Sequence, residues 1–222
     1  AGAGTALTIP AGTTWNWAGD FGNFTGITND GTLVITTNSN HNTGADIINN
    51  AGKTIHWTDG NLDLTTGQTL TNNGIFNLIG SNLNNFACNM AIVNAGTLNK
   101  TAGTLTITQP LTNQAAGTVT ISTSATLTFT SGALTQSGTF TVDGTVSLSG
   151  SSHTFNTNFS GTGTLNISAN STVTAASGFA PAVATVNHNA TLNAGASTAL
   201  TIPSGTTWNW AGDFGNFTGI TN

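Results

Sequence analysis

The chain has 222 residues, with seven aspartates, no glutamate, no arginine and only two lysines, for a formal net charge of −5. Only 4% of its residues are charged, against about a quarter in an ordinary soluble domain. This composition excludes nucleic acid and anionic membrane surfaces as expected partners, because both need basic side chains to neutralise phosphate. No apolar run reaches the length of about 18 residues that spans a bilayer, and the single cysteine, Cys88, excludes a disulfide framework within the chain.

A long internal copy dominates the sequence. Residues 1–29 recur as residues 194–222 at an offset of 193 positions, and only Gly4/Ser197 and Ala11/Ser204 differ. Shared composition cannot produce 27 matches in 29 positions. We therefore interpret residues 1–193 as one complete repeat unit and residues 194–222 as the start of the next copy, with no separate domains, so the chain is expected to belong to a longer array.

A shorter period runs inside the unit. A small residue, glycine and threonine followed by alternating apolar residues recur as DGTLVIT (30–36), AGKTIHW (51–57), NGIFNLI (73–79), AGTLNK (95–100), AGTVTIS (116–122), SGTFTVD (137–143) and TGTLNIS (162–168). Nine such steps fill the 193 residues, which gives about 21 residues for each step.

Each step contains three short segments with the two-residue alternation of a half-buried strand. In residues 117–137 these are TVTIS, ATLTFT and ALTQS, joined by small polar residues. No apolar series follows a helical period, and an antiparallel sandwich would not keep similar motifs in register for nine cycles. The sequence thus predicts an all-β parallel solenoid with about 21 residues per coil, three strands per coil and nine coils per unit.

Asparagines recur beside the repeated glycine in four successive coils. Asn29, Asn50, Asn73 and Asn94 precede it or nearly precede it. We interpret them as an internal amide ladder at one corner of the solenoid, with a structural role.

The segment TTWNWAGDFGNF at 13–24, repeated at 206–217, is the most distinctive in the chain. Aligned by its glycine with AGKTIHW, it has the parity that points Trp15 and Trp17 inward as an aromatic stack. The functional alternative is a carbohydrate-stacking platform made by Trp15, Trp17, Phe21 and Phe24.

Threonines that alternate with apolar residues would line one outer face of adjacent coils. They are Thr104, Thr106, Thr108, Thr126, Thr128 and Thr130. Flat threonine rows on some solenoids bind ice. Here the row decays to Thr145, Ser147 and Ser149 and then to Thr172 and Thr174, and GNLDLT at 60–65 breaks it on the other side. This decay favours a solvated β-branched surface.

Catalytic and metal-binding signals are weak. His56, Asp59 and Asp63 lie close in sequence and suggest acid–base chemistry, but a β-helical glycosidase or lyase is expected to cluster carboxylates with basic residues. The four histidines have no metal-ligand spacing. We therefore expect no enzyme activity, no metal and no cofactor.

The run of glycine–threonine coils, as in Asn73–Leu78, Asn94–Leu98, Gly117–Ile121 and Gly138–Val142, resembles giant repetitive surface proteins of Gram-negative bacteria, such as filamentous-haemagglutinin-like and autotransporter-type β-helical adhesins. The resemblance covers essentially the whole chain and implies an exported, rod-like surface protein used for attachment.

The expected function is that of a structural shaft segment in an extracellular adhesive fibre or filament that attaches to or captures cells. The alternative is a direct glycan- or ice-binding module. The expected partners are further copies of the repeat placed end to end, laterally associated copies in a filament, and the surface or glycans of a target cell. Nucleic acid and membrane insertion are not expected. The scarcity of sites for trypsin-like proteases fits an extracellular location.

Overall fold

The computed structural model describes residues 4–19, 24–64, 67–80 and 91–222. These residues form 26 short β-strands joined by tight corners, and they contain no helix. Accordingly, the described ranges hold no helix long and apolar enough to cross a membrane. Strands of this kind are expected where threonine alternates with leucine, isoleucine, valine or phenylalanine, since β-branched and aromatic residues fit a pleated, half-buried surface.

Neighbouring strands pair in parallel and stack into three faces that run along the solenoid. The first face is an eleven-stranded sheet of β1 (Thr5–Ile9), β3 (Phe24–Asn29), β6 (Asp46–Asn49), β9 (Thr69–Asn72), β11 (Ala91–Asn94), β14 (Leu111–Asn113), β17 (Leu134–Gln136), β20 (Ser152–Phe155), β22 (Thr172–Ala175), β24 (Thr191–Thr201) and β26 (Asp213–Thr221). The second face is a seven-stranded sheet of β2 (Thr14–Trp17), β4 (Thr32–Ile35), β7 (Thr54–Trp57), β10 (Ile75–Leu78), β12 (Thr97–Lys100), β15 (Thr118–Ile121) and β18 (Thr139–Val142).

The third face carries a six-stranded sheet and a separate two-stranded one. The larger sheet consists of β13 (Gly103–Ile107), β16 (Ala125–Phe129), β19 (Thr145–Leu148), β21 (Thr164–Ile167), β23 (Thr185–His188) and β25 (Thr207–Trp210). The smaller sheet pairs β5 (Asn40–Thr43) with β8 (Asn61–Leu64), and each of its strands follows a second-face strand and precedes a first-face strand. The chain therefore visits the faces in a fixed order, and the prediction of a parallel β-solenoid of about nine turns with about 21 residues per turn is confirmed.

The core is a set of apolar columns along the solenoid axis. Within each strand, residues alternate between buried and more exposed, and the register places buried residues of successive coils on one another. Leu98, for example, lies between Phe76 and Val119, and Phe140 continues this column in the next coil. All four residues are at most 1% exposed. One coil alone buries too few side chains to offset the entropy of ordering it, so each coil depends on its neighbours.

Stacked glycines form the corner that leads into the second face. Gly74, Gly96, Gly117 and Gly138 are in register, and a Cβ atom added to Gly96 would overlap the carbonyl oxygen of Gly74. Close approach of backbones therefore explains the repeated glycine.

Two glycines of the predicted series lie elsewhere. Lys53, not Gly52, is in register with Gly74, because Thr54 pairs with Ile75. Gly163 stacks on Gly144, at the corner that leads into the third face. The glycine–threonine motif occurs at both kinds of corner, as in Gly117–Thr118 and Gly163–Thr164. The motif alone therefore does not show whether the strand that follows belongs to the second or the third face.

The two copies of the repeated segment lie on different faces. Residues 5–9 form a first-face strand, and the Trp strand β2 that follows lies on the second face. In the second copy, the equivalent residues form the end of β24, where the backbone N–H of Thr201 donates to the carbonyl of Phe179. Phe179 lies three residues before Ala182, which is bridged through Ser160 to Thr141 of the second face. The end of β24 therefore lies at the second face. The Trp strand β25 then pairs with β23 on the third face.

Local pairing is nevertheless the same in both copies. Thr5 pairs with Phe24 and Thr198 with Phe217, and the same bulge follows in each case. Nine full turns lead from β1 to the start of β24, which lies on the same face. The copied segment begins after that point, on the next face, which is one third of a turn further on. The 193-residue offset thus corresponds to nine and one third turns.

Candidate functional site

A ladder of amide side chains lies inside the corner between the first and second faces. Its members are the last residues of six successive first-face strands, namely Asn29, Asn49, Asn72, Asn94, Asn113 and Gln136, and all six are fully buried. Each Nδ2 group donates to the amide oxygen of the next member over 2.7 to 2.9 Å. The five steps measure 20, 23, 22, 19 and 23 residues, so the ladder tolerates coils of unequal length.

The second N–H of each asparagine donates to a main-chain carbonyl of the corner. Asn72 Nδ2, for example, lies 2.9 Å from the carbonyl oxygen of Thr97, and Asn113 Nδ2 lies 3.0 Å from that of Thr139. A buried amide with all its groups paired does not carry the desolvation cost of an orphaned polar group. The arrangement is structural, and the sheet and the corner on either side enclose it.

Two of the four predicted ladder residues are wrong by one position. Asn29 and Asn94 are members, but Asn49 and Asn72 take the places assigned to Asn50 and Asn73. Asn50 instead donates to Asp30 Oδ1 over 2.7 Å, and Asn73 is exposed. Each member lies two positions after a buried apolar residue, so strand parity identifies the ladder better than distance to the glycine does.

Strand β2 gives Trp15 and Trp17 the inward parity predicted for them. Trp15 pairs with Leu33 and Trp17 with Ile35, both core residues. Trp17 is 1% exposed, and its Nε1 group donates to the carbonyl of Gly19. Trp15 is 41% exposed, because β2 is the terminal strand of its sheet among the described residues.

The second copy shows the complementary exposure. Trp208, equivalent to Trp15, pairs with Val186, and Trp210, equivalent to Trp17, pairs with His188 and is 59% exposed. The exposure of each indole therefore depends on which neighbouring coil is present. Of the other predicted stacking residues, Phe24 is half-buried against the core, whereas Phe21 lies outside the described residues, so the structure brings together no four-residue aromatic platform within them.

The predicted threonine rows lie on the outer side of β13 and β16. Thr104 pairs with Thr126 and Thr106 with Thr128, while Thr108 and Thr130 follow the strand ends. The first outward column stays threonine along the whole six-stranded sheet, through Thr104, Thr126, Thr145, Thr164, Thr185 and Thr207. The second column changes to Ser147 and then asparagine, so on this sheet paired threonines occupy only two adjacent strands.

The outer asparagines of the third face form a second amide column that the sequence analysis missed. Asn209 donates to Asn187 over 2.8 Å, Asn187 to Asn166 over 2.7 Å, and Asn166 to Ser147 Oγ over 3.0 Å. The recurring L-N, V-N and W-N pairs at the middle of these strands are the signal that could have found it.

The histidine and aspartates considered for acid–base chemistry have separate local roles. His56 lies on the outer side of β7, where its Nδ1 atom is 3.3 Å from Asn77 Nδ2. Asp59 accepts from the N–H of Gly60 at a corner, and the side chain of Asp63 lies outside the described set. Among the described residues, no group of three His, Cys, Asp or Glu side chains could hold a metal ion.

Four ionisable side chains among the described residues are buried: His41, Lys100, His153 and His188. Lys100 is fully buried and donates to the carbonyls of Gly80 and Ala102, and burial lowers its pKa to about 8. Burial also lowers the pKa of His153 to about 4, and its Nδ1 atom accepts from the N–H of Leu134, as only an unprotonated ring nitrogen can. Burial lowers the pKa of His188 as well, against an opposing attraction from Asp213.

Shallow grooves lie on the outer surface of the last coils. The groove at Gly161 and Thr162 continues along Ala182–Ala184 and Ser204–Thr206. None of these residues carries a titratable side chain, and most of them are small. Comparison of the chain with protein-family models, with characterised proteins and with solved structures finds no match.

Proposed function

We propose that this chain is a shaft segment of an extracellular adhesive fibre or surface filament, which holds an attachment surface at a distance and transmits load. The proposal rests chiefly on the second copy of residues 1–29, whose strands β25 and β26 add in parallel to the stacks that precede them. A chain whose repeat extends its own sheets is suited to increase length, and load along the axis is shared by many ladder hydrogen bonds.

The composition supports an exposed, extracellular location. The chain has two lysines and no arginine, and Lys100 is fully buried. Trypsin-like proteases would therefore meet one accessible basic side chain, Lys53, among the described residues. The resemblance to β-helical adhesins supports attachment to or capture of cells as the use of the fibre, with further copies of the unit, laterally associated fibres and a target surface as partners.

Direct binding of glycans or ice is the alternative, and the geometry gives it less support. Trp15 and Trp17 have inward parity. Among the described strands, two outward threonines in register occur on only two strand pairs, β13 with β16 and β15 with β18, and these pairs lie on different faces. A glycan platform needs exposed aromatic rings in every unit, and an ice-binding face needs a regular two-column array over many coils.

Electron cryomicroscopy of the native multi-repeat protein tests the shaft proposal. We expect rods with an axial spacing of about 4.8 Å between coils. Compact particles without that spacing would contradict a shaft. In parallel, the purified 222-residue chain is applied to a glycan array and an ice-recrystallisation assay. Binding that is lost in Trp15→Ala, or ice activity that is lost in Thr106→Ala with Thr128→Ala, would favour the alternative.

A further inference from the structure

We propose that the two ends of the repeat unit are the matching halves of one joint, and that each unit docks on the preceding one after a rotation of one face, or one third of a turn. The partner at each end is a second copy of this unit. The inference rests on the array that the shaft proposal assumes, and it adds how successive units meet.

The structure contains one example of the joint, between residues up to 193 and the copied segment. The main chain crosses it in parallel register, because Thr207 N–H donates to the carbonyl of Ala184 over 2.9 Å and Asp213 N–H to that of Ala190 over 2.8 Å. Outside, Asn209 donates to Asn187. Inside, Trp208 and Trp210 continue the columns that end at Val186 and His188.

The same threonine reports whether a preceding coil is present. Thr206 Oγ1 lies 2.8 Å from the carbonyl oxygen of Val183, in the coil before it. Its equivalent in the first copy, Thr13, instead donates to the carbonyl of Pro10 in its own coil over 2.7 Å and is exposed. The first coil thus carries the groups that make the joint in the second copy, and Thr13 is exposed at this end of the stack.

Superposing the two copies completes the environment of the Trp strand. As β25 it pairs with β23, which places Val186 against the first indole. As β2 it pairs with β4, which places Leu33 against the same indole from the other side. In an array, each Trp strand would lie between a third-face strand of one unit and a second-face strand of the next, so all its inward positions would be covered.

The rotation follows from the offset of nine and one third turns. The third-face sheet of one unit continues into the second-face sheet of the next, and the second-face sheet continues into the next first-face sheet. At about 4.8 Å per turn, one unit advances the fibre by about 45 Å. Three units return each sheet to its starting side, so no side of the fibre differs in average composition from another.

Disulfide trapping in the 222-residue chain tests the joint, with Cys88→Ser in every variant. Cysteines on adjacent outward positions of parallel strands meet the Cα separation that a disulfide requires. We expect Asn187→Cys with Asn209→Cys to close. A joint without rotation would instead place residue 209 on the second face and close Ala182→Cys with Asn209→Cys. The pair Asn166→Cys with Asn187→Cys is the control, because it lies within one unit on the third face.

The outcomes separate the two proposals. Closure of 187–209 together with the control supports the rotated joint. If the control disulfide forms together with 182–209, or if it forms while neither test pair does, the rotated joint is overturned and the shaft proposal is unaffected. Failure of the control as well removes the solenoid and, with it, the shaft. In the native array, images of successive units should be related by a rise of about 45 Å and a one-third turn. Rods whose units repeat without that turn would overturn the joint alone.

Discussion

At the scale of single residues, the interior of this solenoid depends on amides that are both donor and acceptor. Asn72 accepts from Asn49 and donates to Asn94 and to the carbonyl of Thr97, so no polar atom of its side chain is left unpaired. A threonine or an apolar residue could not make all three bonds. The ladder allows a polar corner to be buried, which is why it extends over six coils of different length.

Asn72→Ala is expected to lower the free energy of unfolding by about 2–4 kcal/mol, because it removes the hydrogen bonds that Asn72 donates to the buried oxygens of Asn94 and Thr97. Asn73→Ala is the matched control. Its side chain is exposed, so the change should stay within about 0.5 kcal/mol. Urea unfolding followed by circular dichroism measures both, and equal effects would contradict the ladder assignment.

Lys100 is expected to make the protein more stable as the pH rises from about 8 to about 10.5. Its pKa is lowered in the folded state, so in this window the unfolded chain binds more protons, and stability then increases with pH. The chain has no tyrosine, and Cys88→Ser removes a thiol that would also titrate in this range. Thermal unfolding of Lys100→Met against pH should lack the rise, whereas Lys53→Met should keep it.

At the scale of elements, each strand is too short to be stable alone, and the corners set the spacing of the stack. The glycine corner brings Gly96 onto the carbonyl of Gly74 and Gly138 onto that of Gly117. Any side chain there would push neighbouring coils apart and stretch the ladder bonds of two faces. A glycine inside a strand, such as Gly26, has open space around its Cα and no such constraint.

Gly96→Ala should therefore destabilise the protein by about 2 kcal/mol or more, through overlap with main chain that cannot move away. Gly26→Ala should be neutral or raise stability by about 0.4–1 kcal/mol, because alanine restricts the unfolded chain and meets no atom within 4 Å. Differential scanning calorimetry compares the two. If Gly26→Ala lowered the stability as much as Gly96→Ala, close approach of backbones would not explain the regular spacing of glycines in this chain.

At the scale of the whole molecule, exposure of the indoles is a property of the ends. Trp17 and Trp57 are at most 1% exposed, while Trp15 and Trp210 at the two ends are 41% and 59% exposed. Trp17 and Trp210 are equivalent residues of the two copies, so the same local sequence is buried or exposed according to the coils around it.

The share of tryptophan emission that acrylamide quenches should therefore fall as repeat units are added to the chain. Added units contribute buried indoles, whereas the exposed ones stay at the two ends. Chains of one, two and three units, each followed by the same 29 residues, are compared after normalisation to the unfolded protein. A constant quenchable share would mean that each unit exposes its own indoles, which the glycan-binding alternative requires.

The alternation of Thr with Leu, Ile, Val and Phe was sufficient to predict the strands, the parallel stacking and the approximate length of a turn, because these depend on local parity and on a period printed in the sequence. The inward parity of Trp15 and Trp17 followed from the same pattern. Three features needed the tertiary structure. Coils of 19 to 23 residues shift the corners, so the ladder fell on Asn49 and Asn72 and not on their neighbours. One glycine motif serves two corners, so only the strand pairing shows the extra third of a turn. Burial of Lys100 depends in part on the preceding coil, where the carbonyl of Gly80 accepts from its ammonium group, and no local pattern encodes such a contact.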